Sequence, residues 1–316
     1  MLARTADNLY WAARYVERAD FNARLLDAAV RLSALPADYG GAKEDGAEWS
    51  SVLEASGVAT LFEAAGHPAT PDAIRRFIAF DRANPSSIVS CLDTARANAR
   101  GVRTALTSIT WEELNSAWNE LAGFKPGMGP AAFARFLDWT KHVSLVFEGS
   151  AARTMLRNEA YCFLRLGTML ERADDTARLL DVKYHLLLPE REPVGGGLDY
   201  FQWTTLLREV SALTAYRWIY RQGVRPWLVA ELLLLNPQLP ASVMSAYREL
   251  LSTLDELSSE YGRSGESQRL AGATHDRLAR ARMDQVFASG LHEFITGLLA
   301  DNARLAAALS RQYLLG

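Results

Sequence analysis

Apolar residues recur at intervals of three and four along almost the whole chain, and no segment alternates apolar with polar as a half-buried strand would. The periodicity predicts helices over 6–33, 48–65, 71–81, 86–108, 110–121, 131–148 and 152–187. Further helices are expected over 199–220, 223–235, 241–260 and 274–312. Glycine and proline punctuate the pattern at 36–41 (PADYGG), 123–130 (GFKPGMGP), 188–197 (LPEREPVGGG) and 261–267 (YGRSGES). Thr110-x-x-Glu113 reads as a capping box opening the helix that carries Trp111. Pro226 falls where the first turn of a helix has no use for an N–H. The expected fold class is all-α, a multi-helix bundle.

One string in this pattern occurs twice. ERADFNARLLD at 17–27 returns as ERADDTARLLD at 171–181, identical at nine of eleven positions with an offset of 154. PSSIVS at 85–90 is echoed by PASVMS at 240–245, offset by 155. Two shifts so nearly equal imply two tandem pseudo-repeat halves, 1–150 and 151–316. These would form one compact domain or two tightly packed halves.

On a helix each residue advances by about 100°, so Glu17, Asp20, Arg24 and Asp27 fall within roughly 80° of one another. Trp11, Tyr15, Ala19 and Leu26 lie on the opposite side. Glu171, Asp174, Arg178 and Asp181 form the same stripe in the second copy, and His185 continues it where the first copy has Arg31. A charged stripe is usually a solvated face, and Asp20/Arg24 and Asp174/Arg178 would then be i,i+4 pairs worth about 0.3–0.5 kcal/mol. Both copies keep acid, base and spacing, with Arg not exchanged for Lys, which argues for a partly buried network. Buried charges must be paired. The two copies are therefore expected to face each other across a pseudo-twofold axis. Glu17 would meet Arg172 or Arg178, and Glu171 would meet Arg18 or Arg24.

Composition narrows the functional classes. A net charge of −3 gives no bulk reason to expect nucleic acid or an anionic membrane as partner. With 30 Arg against 4 Lys, the cations are mostly planar forks suited to carboxylates and phosphates. Two cysteines are too few for a disulfide framework. No apolar leader opens the chain, and the run near Leu232–Leu235 is far too short to span a bilayer. A cytoplasmic protein is expected.

Candidate chemistry is sparse. A di-iron or di-manganese bundle would need Glu-x-x-His pairs, and none occurs in the sequence. Asp138/His142 and Asp181/His185 have i,i+4 spacing, but each reads better as an acid orienting a histidine, so no metal and no cofactor is expected. Cys91 and Cys162 sit in apolar stretches and read as buried thiols. There is no Gly-x-Ser-x-Gly elbow and no phosphate-cradling loop, and Gly195-Gly196-Gly197 reads as a hinge. His292 and Glu293 are adjacent on one helix and point apart. Ser86 and Ser87 after Pro85 read as a helix start, either a simple cap or an anion site. In TAYRWIYRQGVRPW (214–227), Arg217, Trp218, Arg221 and Trp227 form a candidate partner-binding patch.

The string RTADNLYWAARYVERADFNARLLD resembles the opening of the alpha-E family of all-helical bacterial proteins. The likeness continues through NPSSI (84–88), TWEELN (110–115), FLRLGTMLERADDTARLLDVKY (163–184) and GLHEFITGLL (290–299). It departs at Pro240-Ala241-Ser242, where Pro-Arg-Ser is expected. The resemblance implies an α-helical fold without established catalysis, in proteins that accompany ATP-grasp ligases, transglutaminase-like peptidases and proteasome-like hydrolases. Glu17, Arg18, Glu171 and Arg172 carry over as motif residues, with Asn84, Ser86 and Ser87 beside them. The expected function is a non-catalytic adaptor of an ATP-grasp peptide-ligation or peptide-tagging system, its Glu-Arg stripes joining the halves or binding a peptide carboxylate. The alternative is an enzyme of amide-bond chemistry with Glu17 or Glu171 as general base and arginines stabilising an oxyanion.

Overall fold

The computed structural model describes residues 1–34, 47–185 and 196–314. Among these it contains fifteen α-helices and no strand. They are α1 (Ala3–Ser33), α2 (Ala47–Ala55), α3 (Ala59–Ala64), α4 (Pro71–Ala79), α5 (Ile88–Gly101), α6 (Ser108–Leu121) and α7 (Pro130–Thr154). There follow α8 (Glu159–His185), α9 (Gly197–Glu209), α10 (Leu213–Tyr220), α11 (Pro226–Leu235), α12 (Val243–Tyr261), α13 (Glu266–Arg280), α14 (Met283–Ser289) and α15 (Leu291–Tyr313). The loop expected at 36–41, and the one at 188–197 up to residue 195, lie outside the described residues.

The two longest amphipathic strings form the centre. α1 packs most extensively on α8; α5 and α7 flank α1, while α12 and α15 flank α8. One continuous hydrophobic core runs through all of these helices. At the crossing, Gly167 lies against the backbone of α1: a Cβ there would sit 2.3 Å from the Tyr10 carbonyl oxygen and 3.1 Å from the Ala13 Cβ. Only glycine lets the helices approach this closely. Ala6, Ala12, Ala13 and Ala19 line the buried side of α1, keeping it within reach of its neighbours.

Several local features recur about 155 residues apart. Adding 155 to Pro71–Ala79 gives 226–234, against Pro226–Leu235, and both helices carry proline in the first turn. Ser87 caps α5 by accepting from the Ser90 N–H at 3.2 Å, and Ser242 caps α12 by accepting from the Ser245 N–H at 3.0 Å. The side chain of Asn22 donates to the Ser86 carbonyl at 2.6 Å, and that of Thr176 donates to the Ala241 carbonyl at 2.8 Å. α2 packs on both α1 and α8, and so does α9.

Several element boundaries differ from expectation. The single helix expected over 48–65 is broken between α2 and α3 at Gly57, whose φ is +68°. That expected over 199–220 is broken between α9 and α10 at Ser211, the position equivalent to Gly57, with φ +56°. A left-handed residue ends the helical hydrogen-bond ladder, and serine there gives no glycine signal in the sequence. The segment expected over 274–312 divides into α13, α14 and α15, interrupted at Ala281–Arg282 and at Gly290. α6 starts at Ser108 with Thr107 in the extended capping conformation, so Thr110 is inside the helix and the expected capping box is not formed. Buried Thr110 bonds Thr107 instead, oxygen to oxygen at 2.8 Å.

Candidate functional site

The face of α1 that carries the first Glu-Arg string meets the face of α8 that carries the second, and their charges pair crosswise. Arg172 donates to both oxygens of Glu17, through Nε at 2.6 Å and Nη2 at 3.1 Å. Arg18 donates through Nε to Glu171 at 2.6 Å. Each acid thus takes the arginine that follows its counterpart in the other string. Burial is deep, with Glu17 7% and Glu171 2% exposed.

The two crossings are not equivalent. Glu171 takes a second guanidinium, Arg14, whose Nε lies 2.5 Å away. Arg14 itself is held over the rings of Tyr10 and Trp11, and Arg18 over Tyr15, contacts that favour a cation. On the other side it is the arginine that is shared: Arg172 also reaches Glu148 of α7 at 2.8 Å. Glu148 in turn binds Arg165 at 2.6 Å, and Arg165 pairs with Glu249 of α12. The carboxyls respond accordingly. Burial pushes Glu171 up, but Arg14 and Arg18 outweigh it and hold the group below the ordinary range. Burial also pushes Glu17 up, and Arg172 only partly offsets it, so Glu17 ends above the ordinary range, with Asp20 and Glu148 adding to the rise.

Further down α1 the stripe closes on itself and its neighbours. Asp20 takes Arg24 Nε at 2.6 Å, and Arg24 also donates to the Glu209 carbonyl at the end of α9. Arg24 therefore does not meet Glu171. Asp27 takes Lys141 of α7 at 2.6 Å and Arg31 at 3.2 Å. On α8, Asp174 takes Arg178 at 2.6 Å, so Arg178 does not meet Glu17. Asp181 is bonded to His292 of α15 at 2.6 Å; the side chain of His185, its expected partner, lies outside the described residues. Asp138 is paired with Lys141, not with His142. Among the described residues no group of three or more His, Cys, Asp or Glu is placed to hold a metal ion.

A cavity of about 330 Å³ opens beside the Glu17–Arg172 crossing. Glu17, Asp20 and Arg24 line it from α1, Glu148 from α7, and Arg172 and Asp175 from α8. Apolar walls come from Phe21, Leu145, Leu179 and Leu239. Asp20 Oδ1 and Asp175 Oδ2 are buried without a hydrogen-bond partner. Burial, then the nearby carboxylates of Glu171, Asp174 and Glu17, hold the Asp175 carboxyl well above its ordinary range. The equivalent position in the first string is Phe21, so the site is polar on one side and apolar on the other.

The remaining candidates fall elsewhere. Asn84, Ser86 and Ser87 are knit into the turn before α5. Asn84 donates to the Phe77 carbonyl and accepts from the Ser86 N–H, and the Ser87 hydroxyl caps α5. Cys91 and Cys162 are buried free thiols, each pushed up to about 12 by burial first. Arg217, Trp218, Arg221 and Trp227 are each exposed, on α10, α11 and the turn between them, with Trp218 75% exposed. Arg225 lies over the Trp227 ring at 5.9 Å.

Sequence reasoning missed Arg14, Glu148, Arg165 and Asp175, and it weighed His292 against Glu293 but not against Asp181. Arg14, Glu148 and Arg165 sit outside the repeated string, so spacing carried no trace of them. Asp175 was visible as one of the two mismatches between the strings.

No curated protein and no solved structure significantly matches the chain. A family model does: Alpha-E, described as a predicted alpha-helical domain with a conserved ER motif, matches residues 1–314. The two Glu-Arg pairs at 17–18 and 171–172 are the dipeptides that cross between α1 and α8, and with essentially its whole length matched, the chain belongs to the Alpha-E family.

Proposed function

We propose that this protein is a non-catalytic helical adaptor of an ATP-grasp peptide-ligation or peptide-tagging system, binding the ligase and, in such systems, a transglutaminase-like peptidase or the peptide itself. The observation that carries the reading is the exposed patch of Trp218, Ile219 and Trp227 among Arg217, Arg221 and Arg225. Aromatic and arginine side chains are the types that anchor interfaces, and large apolar side chains grouped in water call for a cover. The guanidinium forks of the Glu-Arg motif, by contrast, are engaged by the chain's own carboxylates. That favours a motif that joins α1 to α8 over one that clamps a peptide carboxylate.

The test is co-purification with the ATP-grasp ligase of the same system. The wild-type chain should retain the ligase, and the double substitution Arg217→Glu, Arg221→Glu should release it while leaving helical circular dichroism unchanged. Retention by the double variant would remove the patch from the argument.

One observation favours the enzymatic alternative. Glu17 lines the cavity, and burial moves its carboxyl upward from the ordinary range, the direction that suits a general base. Glu171 does not suit that role, since two arginines hold it ionised. Turnover by the isolated chain that is lost in a folded Glu17→Gln variant would establish the enzyme and displace the adaptor.

A further inference from the structure

We propose that the cavity beside the Glu17–Arg172 crossing is a binding site for a primary ammonium group carried on a small aliphatic body. The site is distinct from the α10–α11 patch, so this proposal does not depend on the docking reading.

Three observations converge on that chemistry. The first is the lining: four carboxyls, Glu17, Asp20, Glu148 and Asp175, face two guanidiniums, Arg24 and Arg172, with Arg165 behind Glu148, and a cation beside Asp175 would favour the ionised form that burial disfavours. The second is hydrogen-bonding capacity. Both guanidiniums are already engaged, Arg172 by Glu17 and Glu148, and Arg24 by Asp20 and the Glu209 carbonyl. Acceptors are in surplus, because Asp20 and Asp175, each more than nine-tenths buried, both retain an oxygen without a partner. Ala241, whose carbonyl takes one hydrogen bond from Thr176, also lines the cavity. An ammonium presents three donors and one positive charge, which matches this surplus; an anion or a neutral acceptor would add to it.

The third observation is shape. About 330 Å³ is at the lower end of the range for small-molecule sites. Phe21, Leu145, Leu179 and Leu239 offer apolar surface next to the acids, suited to an aliphatic side group. A metal ion is the other cation to weigh, and the carboxyls are not clustered as a coordination set among the described residues. Burying unpartnered carboxyls costs free energy. A bound ammonium relieves that cost, and this is the physical reason such acids persist at a site.

The test uses the full chain with L-leucinamide as probe and N-acetyl-L-leucinamide, identical but for its blocked amine, as control. Titration calorimetry should show saturable binding of L-leucinamide and none of the acetylated compound. Asp175→Asn should weaken binding at least ten-fold. Leu145→Trp, at the exposed rim of the cavity, should block it without touching a charge, and it decides the matter if Asp175→Asn does not fold. Absence of saturable binding to the wild-type chain would overturn the proposal. So would equal binding of the acetylated compound, or wild-type affinity in both variants.

Discussion

Removing Arg172 should cost far more than removing Arg18, although the two occupy equivalent places in the strings. Arg172 makes two hydrogen bonds to Glu17 and two, at 2.8 and 3.5 Å, to Glu148. Glu17 has no other guanidinium against it in the described structure, and only 9% of its side chain is exposed. Breaking a buried pair from one side costs about 3–5 kcal/mol. Protonation of Glu17, already displaced upward, limits the loss, so about 3–4 kcal/mol is expected for Arg172→Ala. Arg18→Ala leaves Arg14 on Glu171, and the remaining charged hydrogen bond should hold the loss to about 1.5 kcal/mol. A natural domain has about 5–15 kcal/mol in all, so the first variant approaches the edge of folding. The double substitution Glu17→Met, Arg172→Met should recover most of the loss, because a packed apolar pair replaces a buried ionic one at little net cost. Urea unfolding at pH 7, followed by circular dichroism, measures each value. A loss below about 1 kcal/mol for Arg172→Ala, or an Arg18→Ala loss as large, would refute the claim that these charges join the helices from inside.

Two other outcomes follow from the same packing. Gly167→Ala gains about 1 kcal/mol in helix propensity, but its methyl must displace the Tyr10 carbonyl from 2.3 Å; overpacking of about 3 kcal/mol leaves a net loss near 2 kcal/mol. Gly149→Ala in α7, with nothing within 4 Å of the added carbon, should instead stabilise by up to about 1 kcal/mol, and denaturant midpoints compare the two. Glu209 is raised to about 7 by burial first and then Asp27, against an ordinary value of 4.5. A raised acid contributes stability that is complete below the unfolded value and is lost as pH rises through the folded one, so the window is about 4.5 to 7. Relative to Glu209→Gln, the wild-type chain should lose on the order of 3 kcal/mol across that window. Parallel curves for the two proteins would contradict the burial of this carboxyl.

The helical class and the meeting of α1 with α8 were legible because a string of eleven residues kept both its charges and its apolar face. Local period reports which side of a helix is apolar, and a duplicated motif further reports which two faces belong together. It does not report third parties. Arg14, Glu148 and Arg165 decide which glutamate is held ionised, yet each lies outside the repeated string, where chain spacing says nothing. Helix breaks at Ser211 and near Arg282 were hidden for a related reason. Ser211 takes a left-handed φ of +56°, and Ala281 and Arg282 take extended backbone, without a glycine or proline to mark either break. The cavity depended on the one place where the strings differ in polarity, Phe21 against Asp175, which reads as noise until both helices are in position.

The crosswise pairing has a consequence for synthesis on the ribosome. Glu17 waits for Arg172, and Arg18 waits for Glu171, each more than 150 residues further along. At about 5–20 residues per second, the leading helix spends roughly 8–30 s with its charges exposed to solvent before their partners are made. During that interval the nascent segment has every reason to keep this face wet, and none to bury it. Commitment to the native arrangement thus waits until the second string leaves the exit tunnel.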